Sequence, residues 1–511
     1  MLECDATRFL VLTIPRSGRK ARGQPRSQVM NASSRLVGVD DGGSRDGNSD
    51  LRADVVIVGA GLSGLMAART LLAAGVEPLV LEARDRVGGR TWTRPASDGT
   101  LLDLGGQWIG PTQRRVLALA KELGVQTFKT WDIGENIEYR GGERATYSGA
   151  IPTHDPVTSA DAVEAMLTLN VMATQVPLDA PWTAPNALEW DAQTFDTWIR
   201  ANTRSEQARA LMELVIQAVF SVEARDLSLL HVLFYIHSAG NLMDLVAVSG
   251  GAQECRCVGG TQQLSDKMAV ALGKRVILNA PVHAITQDDH SVRIEVDSVT
   301  VNAERAIIAL PPTLAGRVRY RPALPGYRDQ FTHRIPMGTV IKFQCLYEWP
   351  FWREHGLTGQ VTSDTSAVRI TFDNTPPDGA PGVLLGFIEG EEGRRWGRRN
   401  LEERRAEVLN CLARYFGEQA RAPQEYVEVS WAEEEYSRGC YAGFLQPGVL
   451  TSYGEALRAP IGRLHWAGTE TATEWNGYMD GALQAGERAA WESLSALGRL
   501  AAVRGTPGSE E

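Results

Sequence analysis

The pattern of apolar and polar positions first becomes regular near residue 54, where it predicts a β-α-β unit. The apolar run 55–58 predicts a buried strand. Apolar side chains then repeat at helical spacing from Leu65 to Leu72, and Gly75 follows as a helix terminator. A second apolar run, 78–81, predicts the next strand. The unit spans about thirty residues, the usual size for two parallel strands joined by a helix.

Downstream, helical and strand patterns are mixed. Residues 155–245 show mostly helical patterns, and a closing helix is predicted over 481–497. The densely charged stretch 389–407 predicts a solvated helix with ion pairs between neighbouring turns. Short strands are predicted at 275–278, 292–296, 306–310, 337–347, 367–374 and 461–468. The sequence therefore predicts an α/β (α+β) protein.

Composition narrows the class of protein. The chain has 511 residues, 43% of them hydrophobic, so it can bury a large core and is expected to form two or more domains. Its formal net charge of −10 argues against a nucleic-acid-binding protein, which would need a basic face. No apolar run reaches the roughly 20 residues that a membrane-spanning helix needs, so we expect no membrane anchor.

Both ends of the chain are predicted to be flexible. Residues 1–50 lack periodicity, which predicts a disordered extension. This extension is either a transit peptide or the product of a start codon assigned too early, with Met30 as the alternative start. Residues 499–511 are predicted to form a flexible polar tail.

Six cysteines in a chain of this length do not form a disulfide framework. Cys255 and Cys257 are spaced C-x-C, but no second Cys or His pair stands at zinc spacing, so we expect no metal site. Reduced cysteines indicate a reducing compartment, and we expect a cytoplasmic location.

The turn between the first strand and its helix carries a dinucleotide-binding pattern, G-x-G-x-x-G at Gly59, Gly61 and Gly64. Gly59 allows the tight turn, Gly61 lets the backbone approach a pyrophosphate, and Gly64 lets the helix pack on the strand. The helix N-terminus offers free N–H groups and a positive dipole to phosphates. Glu82, at the end of the second strand, can accept hydrogen bonds from a ribose diol and disfavours NADP. This unit alone leaves both FAD and NAD open.

A second glycine-rich stretch follows this unit. Gly-Gly pairs beside arginines suit another backbone approach to the same pyrophosphate and to a flavin ring, although each pair alone is also typical of an ordinary turn. The predicted cofactor contacts in this stretch are Arg84, Gly88, Gly89, Arg90, Gly106, Gln107 and Trp108.

Four sequence blocks resemble the flavin-dependent amine oxidases. Residues 82–91 (EARDRVGGRT) look like the family signature. Residues 336–342 (PMGTVIK), 435–441 (EYSRGCY) and 467–482 (AGTETATEWNGYMDGA) are very similar to monoamine oxidases. The resemblance extends over 54–497, nearly all of the chain that we expect to be ordered. Mitochondrial members carry a C-terminal membrane helix, and this sequence shows none.

The resemblance implies a Rossmann-like FAD-binding domain assembled from discontinuous segments, with a mixed-sheet substrate domain that also contains helices. The FAD-binding domain is expected to comprise 51–130, 245–325 and 431–498. The substrate-binding domain is expected to comprise 131–244 and 326–430.

The resemblance also implies four catalytic roles. Tyr441 and Tyr478 match the tyrosine pair that flanks the substrate amine and forms a slot favouring a neutral nitrogen. Such a slot also attracts a cation during binding. Lys342 matches the lysine that holds a water against flavin N5 and assists reoxidation by O₂, and Trp431 matches a tryptophan near the flavin. The alternative interpretations are core aromatic residues and an edge-strand lysine.

Cys440 matches the cysteine through which monoamine oxidases bond the flavin 8α-methyl group. We expect FAD to be attached there, with non-covalent binding as the alternative. Arg438 replaces a usual glycine and is expected either to lower the thiol pKa or to crowd the site. Ser238 stands in the place of a glutamine that borders the cavity of mitochondrial members, which leaves substrate preference open. Further implied FAD contacts are Val282, Gly468, Thr469 and Met479.

Three hypotheses about function follow. The first is an FAD-dependent amine oxidase: R-CH₂-NH₂ + O₂ + H₂O → aldehyde + NH₃ + H₂O₂, by hydride-type transfer to flavin N5. The second is a polyamine, diamine or L-amino acid oxidase, or a carotenoid-type desaturase. An amino acid oxidase needs an arginine clamp, which we cannot assign, and a diamine oxidase needs a deep carboxylate, for which Glu223 and Glu474 are candidates. The third is a non-catalytic flavin-binding subunit, against which Lys342, Tyr441 and Tyr478 argue. A small-molecule amine and O₂ are the expected partners, with a homodimer by family analogy.

Overall fold

A mostly parallel sheet forms around the predicted β-α-β unit, with the strand Val292–Glu295 antiparallel to both of its neighbours, and a second mixed sheet lies beside the same site. The computed structural model describes residues 49–152, 155–297 and 299–500. The predicted disordered extension 1–50 lies outside the described residues, except for Ser49 and Asp50, which begin the first strand.

The strands are β1 Ser49–Val58, β2 Pro78–Leu81, β3 Thr93–Pro95, β4 Leu101–Asp103, β5 Trp108–Ile109, β6 Thr127–Lys129, β7 Glu135–Arg140, β8 Glu143–Tyr147, β9 Cys255–Cys257, β10 Val276–Ile277, β11 Ala284–Gln287, β12 Val292–Glu295, β13 Val299–Ile308, β14 Arg319–Arg321, β15 Val340–Tyr347, β16 Leu357–Ser363, β17 Ile370–Asp373, β18 Gly382–Glu389, β19 Glu425–Ser430 and β20 Leu464–Trp466.

The helices are α1 Leu62–Ala73, α2 Arg114–Glu122, α3 Pro156–Ala173, α4 Ala187–Asp191, α5 Phe195–Asn202, α6 Glu206–Phe220, α7 Leu229–Ala239, α8 Leu242–Val246, α9 Gln263–Leu272, α10 Pro312–Ala315, α11 Gly326–Thr332, α12 Phe351–Glu354, α13 Gly390–Trp396, α14 Leu401–Phe416, α15 Val449–Tyr453 and α16 Met479–Ala496.

The first sheet has the strand order β10-β2-β1-β13-β12-β11-β14, and β20 pairs with the C-terminal part of β13. Strands β10, β2, β1, β13 and β20 are mutually parallel. The central strand β1 is apolar because it is covered on both faces, and Val55, Val56 and Ile57 are fully buried. Helix α1 packs against α16 beside this sheet. The carboxyl ends of β1, β2 and β13 therefore point to one edge, where parallel sheets place their ligands.

The second sheet has the order β19-β15-β18-β17-β16-β7-β8 and is mixed, since only β16 and β7 pair in parallel. All eight residues of β15 are buried, because hydrophobic clusters cover both faces of this strand. Helices α3 to α8 form a further core around Leu233 and Phe234. Residues of this helical core and of the second sheet, such as Met166 and Lys342, line one cavity together with Val58 at the end of β1.

The predicted fold class is confirmed, and several predicted elements have the observed bounds. β2 and α6 occur where the patterns place them. The charged stretch 389–407 differs from the prediction, since it begins on a strand residue and then forms α13 and the start of α14. A capping box between Asn400 and Glu403 starts α14 as a separate helix.

The domain boundaries stay a prediction, because the described residues form one compact unit. The two sheets nevertheless use different parts of the chain. Arg499, placed in the predicted tail, forms ion pairs with Asp54 and Glu304. Among the described residues, no helix has the length and apolar character needed to cross a membrane.

Candidate active site

A cavity of about 720 Å³ opens at the carboxyl edge of the first sheet and extends to β15, β17 and β18. Every predicted catalytic or cofactor residue except Gly64 lines it. The predicted residues that line the cavity are Gly59, Gly61, Glu82, Arg84, Gly88, Gly89, Arg90, Gly106, Gln107, Trp108, Val282, Lys342, Trp431, Cys440, Tyr441, Gly468, Thr469, Tyr478 and Met479.

The glycine turn after β1 has three distinct geometries. Gly59 adopts φ +102°, a conformation that side chains other than glycine rarely adopt. Gly64 does not reach the cavity: a Cβ there would lie 1.9 Å from the Gly59 carbonyl oxygen, so α1 packs directly on the turn. A Cβ on Gly61 would approach no atom of the chain more closely than 4.0 Å, to Gly89 Cα. Gly61 therefore faces open space in the cavity.

Two helices begin at this cavity, α1 at Leu62 and α16 at Met479. Neither N-terminus is capped by a side chain, since the N-cap residues Gly61 and Tyr478 form no side-chain cap hydrogen bond. Helix N-termini present free N–H groups and a positive dipole. The cavity is therefore suited to an anionic group at two places.

Glu82 is 4% exposed and sits at the end of β2. Its carboxylate accepts hydrogen bonds from the Ala60 N–H at 2.7 Å and from the Arg84 N–H at 3.0 Å. Arg84 also donates to the Ser437 hydroxyl at 3.0 Å. These bonds fix the carboxylate at the cavity and leave it lone pairs for a diol.

Arg90 is held by a buried carboxylate. Its guanidinium donates to the two oxygens of Glu470 at 2.7 and 3.2 Å, and to the Tyr441 carbonyl oxygen at 2.8 Å. Burial alone would raise the pKa of Glu470, but the attraction and hydrogen bonds of Arg90 hold it below its ordinary value. Arg90 thus ties the cavity wall to the loop that carries Tyr441.

Lys342 is 3% exposed on β15, and its ammonium donates to the Gly105 carbonyl oxygen at 2.8 Å and to Gln107 Oε1 at 2.6 Å. Burial lowers the pKa of Lys342 to about 7, against the opposing attraction of Asp103. An ammonium has three donors, so one remains for a water in the cavity. The predicted edge-strand alternative is wrong, because β15 lies between β18 and β19.

The two predicted tyrosines both line the cavity. The Tyr441 hydroxyl donates to Glu389 Oε1 at 2.6 Å. The Tyr478 ring packs edge-on against Trp475 with centroids 4.9 Å apart, and lies 6.0 Å from the Tyr235 ring. Burial raises the pKa of both hydroxyls, so both phenols are neutral near pH 7.

Trp431 and Trp108 form an aromatic wall on the same side of the cavity as Lys342. Trp431 is 2% exposed and donates from its indole to the Leu104 carbonyl oxygen at 3.0 Å. Trp108 packs against Phe372 at 4.8 Å, and its buried indole N–H has no hydrogen-bond partner within the chain. That unpaired donor is available to a bound group.

Cys440 lines the cavity and is 5% exposed. Burial raises the pKa of its thiol to about 12, although Arg90, Arg84 and Lys342 partly oppose this rise. The positive charge near the thiol thus comes from these distant segments. Arg438, the residue that sequence analysis expected to act on the thiol, is exposed and adopts φ +56°.

Sequence reasoning missed Gln253 and Tyr235, which also line the cavity. The Gln253 side chain donates to the Leu245 carbonyl oxygen, while its buried Oε1 has no partner within the chain. Ser238 does not line the cavity: its hydroxyl donates to the Tyr235 carbonyl oxygen at 2.8 Å. Tyr235 and Ser238 lie almost one turn apart on α7, so the helical spacing of this stretch was the sequence signal that could have pointed to Tyr235.

The candidate carboxylates for a diamine are not in the cavity. Glu474 is exposed and forms an ion pair with Arg115. Glu223 accepts hydrogen bonds from Gln217 and from the Glu391 N–H, and does not line the cavity. Sequence analysis also missed Glu389, which lies behind Tyr441.

The cavity fits an FAD molecule on several grounds. Gly61 and Gly89 face each other, since a Cβ added to Gly61 would lie 4.0 Å from Gly89 Cα and one added to Gly89 would lie 3.3 Å from Gly61 Cα. Side chains at these positions would project into the space that a pyrophosphate would occupy. The uncapped starts of α1 and α16 suit a pyrophosphate and a carbonyl-bearing ring edge. Glu82 suits a ribose diol. Val282 lies in the lining stretch 280–283 at the far end. Among the described residues, no group of three or more His, Cys, Asp or Glu side chains is placed to hold a metal ion.

Comparison with known sequences identifies what this chain is similar to. A sequence profile described as flavin containing amine oxidoreductase matches residues 62–494. A protein of Dictyostelium discoideum, "Probable flavin-containing monoamine oxidase A", is 40% identical over 442 residues, covering 86% of this chain and 97% of that protein. Human "Amine oxidase [flavin-containing] B" is 39% identical over 454 residues, covering 88% and 87% of the two chains.

Solved structures give the same result. A wild-type putrescine oxidase bound to putrescine is 35% identical, with a TM-score of 0.84 and coverage of 88% of this chain and 100% of that one. A cyclohexylamine oxidase from Brevibacterium oxydans is 33% identical, with a TM-score of 0.84 and coverage of 87% and 99%.

Proposed function

Because this chain belongs to the flavin containing amine oxidoreductase family, and is an FAD-dependent amine oxidase, we propose that its substrate is a primary monoamine. The proposed reaction is R-CH₂-NH₂ + O₂ + H₂O → R-CHO + NH₃ + H₂O₂. The observation that carries this proposal is the placement of Lys342, Tyr441 and Tyr478 in one cavity with the glycine turn.

FAD supplies hydride acceptance from the amine α-carbon and electron transfer to O₂. The chain binds and orients it. The N–H groups at the start of α1 and the open backbone at Gly61 would hold the pyrophosphate, and Glu82 would accept hydrogen bonds from the ribose hydroxyls.

The two tyrosines orient the amine. Their rings are neutral and electron-rich, so they attract a cationic amine and hold its nitrogen in a fixed direction. Lys342 holds a water at its free donor position, since Gly105 and Gln107 occupy the other two. Gln253 Oε1 is available to accept a hydrogen bond from a substrate N–H or O–H.

The lining favours an apolar monoamine over a diamine or an amino acid. The substrate side of the cavity is mostly apolar, and its polar side chains, which include Gln253, Gln360 and Thr362, are neutral. The apolar lining residues include Ile151, Met166, Leu211, Val215, Ile370 and Phe387. Two carboxylates, Glu82 and Glu435, are found among the described residues that line the cavity. Glu82 lies at the dinucleotide end, and Glu435 lies next to Tyr436 in the sequence. No acidic side chain is therefore available there for a second ammonium. Of the arginines that line the cavity, Arg90 is engaged by Glu470. The others lie in or next to the dinucleotide-side stretches: Arg84, Arg317, Arg319 and Arg438.

The substrate class is tested by anaerobic mixing of the holoenzyme with benzylamine, tyramine, a linear alkylamine, putrescine and an L-amino acid in turn. We expect the monoamines to bleach the flavin absorbance, because the apolar pocket accommodates their substituents. Bleaching by putrescine or the amino acid alone would move the assignment to the second hypothesis. Failure of every amine to bleach a yellow protein would contradict the assigned role of the tyrosines.

Covalent attachment is proposed at Cys440. Its Sγ would bond the 8α-methyl carbon, R-SH + CH₃-flavin + O₂ → R-S-CH₂-flavin + H₂O₂. We expect acid-precipitated wild-type protein to retain its flavin in the pellet and Cys440→Ala to release it. Cys345→Ala, another buried thiol that does not line the cavity, is the control. Release of flavin from the wild-type pellet would establish non-covalent binding.

A homodimer and a cytoplasmic location stay predictions.

Cys255, Cys257, Cys345, Cys411 and Cys440 are free thiols.

A further inference from the structure

Glu389 is a carboxylate that sequence analysis does not assign and that the proposed chemistry does not yet use. It is the last residue of β18, and its Oε1 accepts hydrogen bonds from the Tyr441 hydroxyl at 2.6 Å and the Ser221 hydroxyl at 3.1 Å. Both donors converge on one oxygen. Tyr441 is a wall of the cavity, so Glu389 contacts the substrate slot through that side chain alone.

Several charged groups surround Glu389, and among them Arg369 and Glu223 act on its carboxyl. Ser221 ends α6, Arg369 precedes β17, and Glu223 is linked to Arg369 through Gln217. Lys342 lies on the adjacent strand, where it pairs with Phe387, two residues along the strands from the pair of Val340 with Glu389. Other nearby acidic groups are Glu213 on α6 and Glu391 on α13.

The pairing of β15 with β18 places Lys342 and Glu389 on one face of the second sheet. Cross-strand partners share a face, and residues two apart on a strand do as well. The sheet thus presents a cation and a carboxylate toward the same cavity from neighbouring strands. The Lys342 ammonium donates hydrogen bonds to residues 105 and 107, whereas the Glu389 carboxylate accepts one from the Tyr441 hydroxyl.

We propose, on the basis of the proposed amine oxidase function, that Glu389 is a positioning residue for Tyr441: its carboxylate anchors the ring through the hydroxyl and, when ionised, adds negative charge behind the slot. The anchor fixes the ring plane against which the amine nitrogen rests. The charge strengthens attraction of a cation to the ring. Glu389 is therefore a determinant of how tightly a protonated amine is held.

The charge of Glu389 changes in the neutral range. Burial raises the pKa of Glu389 to about 7, although its hydrogen bonds from Tyr441 and Ser221 and the attraction of Arg369 oppose that rise. Above this pH the carboxylate is ionised, and below it the carboxyl is neutral. Cation binding to the slot is therefore expected to strengthen as pH rises.

A quaternary ammonium tests this without turnover. Benzyltrimethylammonium keeps its charge at every pH and cannot form an imine, so the pH dependence of its affinity reports only the protein. We expect calorimetric titration of the holoenzyme to give an affinity about fivefold higher at about pH 8 than at about pH 6. In Glu389→Gln, which keeps an acceptor for Tyr441 but carries no charge, this dependence should be weaker than in wild type. The part that remains reports the loss of the Lys342 ammonium, since burial lowers the pKa of Lys342 to about 7. A dependence as steep as in wild type would contradict the role of the Glu389 charge.

A second variant separates anchoring from charge. Glu389→Leu removes the acceptor, and we expect kcat/KM for a monoamine to fall by about 10- to 100-fold, since small misplacements in a slot have large effects on rate. Glu389→Gln should restore most of this loss. The control is Glu428→Gln on β19, outside the cavity, where Glu428 accepts hydrogen bonds from the Tyr426 hydroxyl at 2.7 Å and from Arg404. Because it also removes the charge partner of Arg404, this variant is at least as disruptive to the sheet as Glu389→Gln.

The outcomes discriminate between the two proposals. If wild-type holoenzyme is bleached by monoamines while both Glu389 variants bind the quaternary ammonium and turn over as wild type does, the role of Glu389 is overturned and the proposed function stands. If Glu428→Gln reproduces the effects of Glu389→Leu, the effects are general to the sheet and the proposal also fails. If no amine bleaches wild-type flavin, the proposed function fails first.

Discussion

Replacing Lys342 with methionine is expected to slow reoxidation of the reduced enzyme by O₂ by about 100-fold, the usual effect of removing one preorganised polar group from a site. Anaerobic reduction by a monoamine should change by no more than about threefold, because the amine slot is formed by other residues. Stopped-flow measurement of the two half-reactions separates these effects. The methionine keeps most of the length of the lysine side chain and removes the charge and the water-holding donor.

The same experiment has a pH signature. The pKa of Lys342 is lowered to about 7 by burial, so its ammonium is present below that pH and is lost as pH rises through it. We expect wild-type reoxidation to slow through this range and Lys342→Met to show no inflection. Lys267→Met, at an exposed position of α9, is the control for loss of a lysine. Equal reoxidation rates in Lys342→Met and wild type would contradict the assignment.

Local patterns predicted the parts of the fold that depend on local chemistry. The run 78–81 and the helical repeat of 206–220 have the bounds of β2 and α6, since burial and capping are both visible in the sequence. Ser205 caps α6 through the Ala208 N–H, a typical start signal. β1 begins earlier than predicted because residues from Ser49 onward pair with β13, and polar residues can join such a strand.

The site could be predicted only where motif spacing placed residues together. Arg84 and Ser437 are in hydrogen-bond contact although 353 residues separate them, and the resemblance alone suggested that their blocks meet. Glu389 shows the limit of this reasoning. It begins a densely charged stretch that predicts a solvated helix, yet it ends a buried strand and faces Tyr441.

Charge environments were the least predictable feature, because they depend on distant segments. The arginine next to Cys440 in sequence, Arg438, is exposed, whereas Arg90 and Arg84 act on the thiol from the first part of the chain. Their attraction does not outweigh burial, so the thiol pKa is raised to about 12 in the protein. The charges that act on the Cys440 thiol therefore could not be predicted from its neighbours in the sequence.

Replacing two glycines of one turn with alanine is expected to have different effects: Gly64→Ala should lower stability, and Gly61→Ala should weaken FAD binding. A Cβ on Gly64 would lie 1.9 Å from the Gly59 carbonyl oxygen and 3.2 Å from Ile57 Cγ2, so α1 must move away from β1. Because backbone cannot relax as a flexible side chain does, we expect Gly64→Ala to lower the free energy of unfolding by about 3 kcal/mol. Thermal unfolding followed by circular dichroism measures this loss.

Gly61→Ala should leave the fold intact and remove the cofactor. The added Cβ meets no atom of the chain closer than 4.0 Å, so the unfolding temperature of the FAD-free protein should stay at its wild-type value. That Cβ projects instead into the passage assigned to the pyrophosphate, and we expect FAD affinity to fall by about 10- to 100-fold. Gly326→Ala, where a Cβ meets nothing within 4 Å, controls for the substitution itself. If Gly61→Ala purified with a full complement of FAD, the pyrophosphate would have to cross the cavity elsewhere, and the assignment of the turn would be wrong.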